Sequence, residues 1–164
     1  MELNKLEKDS YSIIPLTEDY AKEICSWRYE GKYSIYNFSD WDIVVKNGWD
    51  LSIKNKREKE FIAILLNNEL LAYGRIVLRG GKVFIGIGLK PALCGKGYGK
   101  EIMCLLVEEA KRRFPNTKIA LEVRSFNKRA INCYKRIGFK IIEKYMKKTF
   151  NDEIDEFCYM EYEK

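Results

Sequence analysis

The apolar pattern of this chain changes period at one place, the glycine-rich stretch Cys94-Gly-Lys-Gly-Tyr-Gly99. Before it, Glu60 to Leu66, Glu69 to Leu78 and Lys82 to Leu89 read as strands. Asn67-Asn68 and Arg79-Gly-Gly-Lys82 separate them as hairpin turns, because both tolerate positive φ. After it, Tyr98, Ile102, Leu105 or Leu106, and Ala110 recur at helical spacing, so a long helix runs to about Phe114. Ile119 to Val123 is a further strand, and Asn127 to Ile137 a helix ended by Gly138. Lys140 to Lys147 and Glu156 to Tyr162 are the last strands.

Upstream of the meander, Tyr11 to Leu16 reads as a short strand. Thr17 is an N-cap, Glu18 and Asp19 suit the positive end of a helix, and Tyr20, Ile24 and Trp27 form its apolar face. Ser39, with Asp42 three residues on, looks like a variant capping box for a second short helix stopped near Gly48. The expected fold is α+β, in one domain over residues 1–164, antiparallel at both ends with a strand–helix–strand unit between.

Composition removes whole classes of function. The longest apolar run, Phe61 to Leu66, falls far short of the roughly 20 residues of a membrane span. The first ten residues are charged and carry no apolar signal core, so a cytoplasmic location is expected. Five cysteines with no CxxC pair support neither a disulfide framework nor a zinc site. Histidine is absent, which removes the commonest general base and metal ligand, so no metal is expected. A formal charge of +6 suits either a solubilised surface or an anionic partner. The basic clusters Lys54 to Arg57, Lys111 to Arg113 and Lys144 to Lys148 are short, scattered and interleaved with acids. No nucleic-acid motif accompanies them, so neither nucleic acid nor membrane is an expected partner; a homodimer stays open.

The glycine-rich turn itself points to a phosphate-bearing ligand. Alternate glycines let a ligand approach the backbone, and the helix that follows leaves N–H groups free for phosphate oxygens. Lys96 and Lys100 add positive charge. Walker A requires Gly-Lys-[Ser/Thr], which is missing, and a dinucleotide fingerprint requires glycine where Lys100 stands.

Gly88 to Ile102 resembles the acetyl-CoA motif of the GNAT acetyltransferase superfamily, [Gln/Arg]-x-x-Gly-x-[Gly/Ala], between the fourth strand and third helix. Leu121 to Phe139 resembles the family's next motif, with Asn127, Ala130-Ile131, Tyr134 and Gly138-Phe139 at matching spacing. The close likeness covers residues 84–142. It implies a GNAT-like sheet of about six or seven strands, mostly antiparallel, with about four helices, and an acetyl-CoA-dependent N-acetyltransferase acting on a primary amine. Cys94 departs from the family's Gln or Arg, so one polar contact to the diphosphate is lost, which Lys96 or Lys100 can replace. A catalytic thiol at Cys94 is disfavoured, since no histidine can activate it.

The resemblance also assigns roles. Ile87, Gly88, Leu89, Cys94, Gly95, Lys96, Gly97, Tyr98, Gly99, Lys100, Asn127, Arg129 and Tyr134 are implied to hold the cofactor. The backbone N–H of Leu89 is the implied donor to the oxyanion, and Tyr134 the implied acid that protonates the departing thiolate. Asn127 also suits a helix N-cap, Tyr134 a packed interior ring, and Arg129 an exposed surface position. Glu122 is the candidate base: it is the only acid in either matched motif placed in mid-strand, in a Glu…Asn…Tyr pattern similar to ribosomal-protein N-terminal acetyltransferases. A carboxylate there is otherwise a surface ion pair, with Arg124 or a lysine. The fourth strand, which carries the base in many relatives, has no acid here.

The acceptor side is less specific. Trp27, Tyr29, Tyr33, Tyr36, Phe38, Trp41 and Trp49 crowd into a short stretch and either clasp an acceptor or tuck a loop onto the core. Glu30, Asp40, Asp42 and Asp50 are acids suited to an ammonium. The acceptor's identity is open. Alternatives to acetyl transfer are a different acyl-CoA, an oxygen acceptor, or a non-catalytic acyl-CoA-binding module.

Overall fold

In the computed structural model, residues 11–149 and 152–163 are described. Among them are seven strands: β1 (Tyr11–Pro15), β2 (Phe61–Leu66), β3 (Glu69–Arg79), β4 (Lys82–Leu89), β5 (Ile119–Arg124), β6 (Phe139–Lys148) and β7 (Ile154–Tyr162). They join in one mixed sheet ordered β1-β2-β3-β4-β5-β7-β6. Five α-helices accompany them: α1 (Glu18–Ser26), α2 (Trp41–Lys46), α3 (Lys54–Glu60), α4 (Tyr98–Arg113) and α5 (Lys128–Ile137), with three short 3-10 turns. The described chain is thus α+β, as expected. It divides into two units, residues 1–75 with 87–95, and residues 76–86 with 96–164.

The first unit is built around α1. Thr17 Oγ1 accepts the Tyr20 N–H at 3.2 Å and caps the helix. Its inner face, Ala21, Ile24 and Cys25, joins Leu16, Val44, Leu51, Phe61, Ala63, Leu65 and Leu70 in a buried apolar cluster. β1 and β2 pair antiparallel with Ile13 opposite Ile64. Asn67 and Asn68, at φ of 52° and 65°, turn β2 into β3. Arg75 reaches Glu60 and Asp50 together, at 2.6 and 2.5 Å, and lies over the Phe61 ring.

Two expectations change here. Ser39 does not begin the second helix; Asp40 does, without any side-chain cap bond, and the helix ends on Asn47 before Gly48. Nor was α3 expected. Its sequence, Lys-Asn-Lys-Arg-Glu-Lys-Glu, has no apolar stripe and no capping residue, since Ile53 stands at the N-cap. Tertiary contacts take the place of pattern: Arg57 is buried, donates to the Leu51 carbonyl at 3.0 Å and stacks over Trp41. The other members pair along the helix, Lys54 with Glu58 and Lys56 with Glu60.

In the second unit, β4 and β5 run parallel, with Val83 beside Ile119 and Phe84 beside Ala120. The connection between them carries α4, as the strand–helix–strand reading required. The buried face of α4 is Ile102, Met103, Leu106, Val107 and Ala110; Tyr98 and Leu105 are only half-buried. β7 lies between β5 and β6, antiparallel to both. A register shift between Ile141 and Glu143 bends β6. The basic end of α4 is paired internally, Lys111 with Glu108, and Arg112 and Arg113 with Glu109.

The Thr17 cap fixes where α1 starts, and so where Trp27 and Tyr29 fall at its far end. Thr17→Ala is expected to cost about 1 kcal/mol, read as a lower urea midpoint at unchanged slope, while Thr17→Ser keeps the parent value.

Candidate active site

In the second unit, α4 starts on Gly97, which holds φ at 87° and makes no side-chain cap bond. A Cβ at Gly97 would meet nothing within 4 Å, so it is the left-handed backbone, not crowding, that calls for glycine. The first-turn N–H groups of α4 have no acceptor within the helix, and they form the positive pole of the helix. Lys96 and Lys100 are exposed beside them. Gly99 differs: a Cβ there would sit 3.6 Å from the Cys133 Sγ of α5, an ordinary contact. Gly95, in the first unit, again holds a left-handed φ, of 76°.

Asn127 and Tyr134 both belong to α5. Asn127 Oδ1 accepts the Ala130 N–H at 3.2 Å, so it is an N-cap. Tyr134 is buried and meets Phe139 edge-on at 6.2 Å between centroids. Seven residues apart, the two share one helix face. Arg129 is exposed.

Glu122 occupies the middle of β5, opposite Tyr159 of β7. Its carboxylate does not pair with Arg124, which goes instead to Asp155 at 2.7 Å. Lys147 donates to Glu122 Oε2 at 2.9 Å and Arg79 stands 3.5 Å from Oε1. Burial works to raise this carboxyl, but a hydrogen bond from Tyr145, then Lys147 and Arg79, outweigh it and hold it below the usual carboxylate range. Tyr145 is correspondingly pushed up by burial and by its bond to Glu122. The candidate base is thus ionised at neutral pH and already surrounded by cations.

The first unit contains the end of β4. A Cβ at Gly88 would lie 2.0 Å from Tyr73 Cε1, so the Tyr73 ring covers this backbone and excludes any other residue. Burial pushes the Tyr73 phenol up to about 12, with Cys25 adding to it. The Leu89 carbonyl accepts from Tyr29 Oη at 2.6 Å. Cys94 Sγ lies 3.9 and 3.7 Å from the carbonyls of Leu89 and Lys90. Ile87, like Gly88 and Leu89, is half-buried.

Most of the crowded aromatics pack together. Trp27, Tyr29, Tyr36 and Phe38 gather with Tyr73 and Ile24 around a shallow hollow with no room for a water-sized ligand. Trp27 and Phe38 pack on Tyr73 with centroids 6.0 and 6.3 Å away. Trp41 and Trp49, like Phe38 and Tyr73, pack against the buried apolar cluster that contains Trp27. Of the acids suited to an ammonium, Asp40 is paired with Arg28 and Asp50 with Arg75. Tyr73 and the Tyr29–Leu89 bond were not legible in the sequence. Sixty residues separate Tyr29 from Leu89, and no local pattern marks such a contact. The glycine inside the β4 pattern was the available signal for Tyr73.

A family model described as Acetyltransferase (GNAT) family matches residues 17–139. No curated protein matches this chain in sequence. Among solved structures, a chimera of spermidine N-acetyltransferase SpeG from Vibrio cholerae and hSSAT aligns at 15% identity and a TM-score of 0.74, over 93% of this chain and 95% of that one. A ribosomal-protein alanine N-acetyltransferase from Escherichia coli aligns at 16% identity and a TM-score of 0.64, over 93% and 92%. The protein yncA from Salmonella typhimurium, solved with its cofactor acetyl-CoA, aligns at 17% identity and a TM-score of 0.66, over 93% and 92%. At these identities the likeness is one of fold.

The Glu122 ion pairs have a pH signature. A carboxyl lowered on folding stabilises the protein above its unfolded value, about 4.3, and that contribution is lost as pH falls through the lower folded value. Glu122→Gln is therefore expected to lower Tm near neutrality, with the gap to the parent closing below about pH 4. Melting curves of both proteins across that range provide the check.

Proposed function

The chain belongs to the GNAT acetyltransferase family, and we propose that it is an N-acetyltransferase that moves an acetyl group from acetyl-CoA directly to a primary amine. The observation that carries the reading is the start of α4, where a left-handed glycine leaves the first-turn N–H groups uncapped between two exposed lysines. That donor set fits a diphosphate. The reading treats the chain as one domain because the family match runs across both units. Its setting is taken as the reducing cytosol, where its five free thiols persist.

When bound, acetyl-CoA supplies an activated acetyl thioester. Gly95 to Lys100, with Cys94 beside them, are assigned to its diphosphate, and Asn127 and Arg129 to the rest of its polar length. Leu89, with Ile87 and Gly88 leading to it, offers its backbone N–H to the carbonyl oxygen. The acceptor must attack as a free amine, although an alkyl ammonium titrates near 10.4. Glu122 is the group proposed to take that proton. It is unprotonated at neutral pH, as a base must be, but its ion pairs make it a weak one, so the proton passes on to water. As the nitrogen–carbon bond forms and the carbon–sulfur bond breaks, Tyr134 gives its phenolic proton to the leaving thiolate. Spermidine and a ribosomal-protein alanine, the acceptors named for two fold neighbours, each offer a primary amine and fit the class.

Two variants separate binding from chemistry. Gly97→Asp places bulk and negative charge where the diphosphate is proposed to lie, and is expected to abolish the rise in Tm that acetyl-CoA gives the parent. Tyr134→Phe keeps the ring and its packing on Phe139. It is expected to bind acetyl-CoA normally while kcat falls by ~10²-fold, the usual size of a general-acid contribution. A folded Gly97→Asp variant with the full shift removes the cradle from the reading. Parent turnover in Tyr134→Phe leaves the ring a packing residue only.

A further inference from the structure

The Leu89–Lys90 peptide is held at both ends. Its carbonyl accepts the Tyr29 hydroxyl at 2.6 Å, and its N–H donates to the Leu71 carbonyl of β3 at 3.0 Å. A planar amide gripped by both polar groups cannot rotate. The Leu89 N–H belongs to the amide before it, and Leu89 lies between this held amide and the strand β4 that ends on it, so the turn of its backbone is limited from both sides. The Leu71 half of this grip is a backbone bond to β3, made one residue past the end of β4. The Tyr29 half is a side-chain bond: the hydroxyl comes from the loop after α1, sixty residues earlier.

That loop is itself secured for the purpose. The Tyr29 N–H donates to Asn37 Oδ1 at 2.6 Å, and Asn37 Nδ2 donates back to the Tyr29 carbonyl at 3.3 Å. One side chain thus holds both backbone groups of Tyr29, as a neighbouring strand would. Arg28 ties the same loop down, through the carbonyls of Cys25 and Trp27 at 2.7 and 2.8 Å and through Asp40 at 3.1 Å. A loop needing only to cover the core has apolar contacts for that, in Trp27 and Phe38 on Tyr73. The polar set does something else: it delivers one hydroxyl to one carbonyl.

We infer that Tyr29 is a positioning residue for acetyl transfer, acting through the Leu89–Lys90 peptide to keep the Leu89 N–H aimed at the thioester carbonyl. The inference rests on the N-acetyltransferase reading above, which gives the Leu89 N–H its role. Tyr29 touches neither acetyl group nor amine in this account. It limits the freedom of the donor, and its effect falls on the rate once both substrates are bound.

The test is Tyr29→Phe, which keeps the ring and deletes the hydroxyl. Its expected signature is a kcat lowered by ~10-fold, about the worth of one hydrogen bond, with the acceptor KM and the acetyl-CoA dissociation constant within about twofold of the parent. The Lys90 amide should also exchange with solvent faster, because the peptide has lost one of its two holds. A loop tether without a positioning role gives the opposite split, a raised acceptor KM at parent kcat, and that result overturns the inference. Should Tyr29→Phe fold too poorly to assay, Asn37→Ala frees the Tyr29 backbone and is expected to lower kcat in the same direction by about threefold; parent kcat there overturns it equally. If the parent protein itself releases no thiol from acetyl-CoA with any amine, the transferase reading has failed; parent turnover in a folded Tyr29→Phe variant removes only the positioning role.

Discussion

A helix that begins on a left-handed glycine has no side chain with which to cap itself, and α4 begins in that way. The first-turn N–H groups of a helix need acceptors from somewhere, and side chains normally provide them. Here Gly97 has none to give, and the neighbouring charges, Lys96 and Lys100, are donors. The sixteen residues of α4 are anchored by a buried face from Ile102 to Ala110. The helix is therefore stable without its cap, and its open end is free to serve a ligand's oxygens. The family match over residues 17–139 includes this segment, and the proposed acetyl-CoA diphosphate site lies on it.

Much of this was readable from the chain. Strand and turn boundaries in the meander follow from the continuous apolar run of β2, the alternation within β3 and β4, and Asn67-Asn68 and Gly80-Gly81, whose φ values are all positive. The same holds for α5, framed by Asn127 as cap and Gly138 as stop. What escaped has a common cause. α3 is a helix of charged residues held by one buried arginine, so its stability lies in contacts that no local pattern encodes. The Ser39 capping box failed because Asp40 starts the helix without using a side chain. In the site, residue types were legible and partners were not. Glu122 stood out as a mid-strand acid, but only the register of β5, β6 and β7 brings Lys147 and Tyr145 to it.

Those partners change what Glu122 can do. A carboxylate in an apolar strand is expensive to bury and tends toward a raised pKa. Two cations and a phenol reverse that tendency. The outcome is a carboxylate that stays ionised near neutral pH and holds a proton only weakly. The roles sketched for the first unit are of the opposite kind. Tyr73 and Tyr29 carry no charge, and their effect on the end of β4 is steric and directional, through a ring that excludes a Cβ and a hydroxyl that holds a carbonyl. Electrostatics is concentrated around the proposed proton route, and rigidity around the proposed carbonyl donor.

The most direct test of the account is to offer the purified protein acetyl-CoA with a panel of primary amines, from polyamines to peptides with free N-termini, and to measure free CoA thiol and acetylated product together. The expected result is at least one amine for which thiol appears in step with an equal amount of acetamide, and none without protein. Tight binding of acetyl-CoA with no thiol released above background, across the whole panel, would contradict it and leave a module that binds an acyl-CoA without transferring its acyl group.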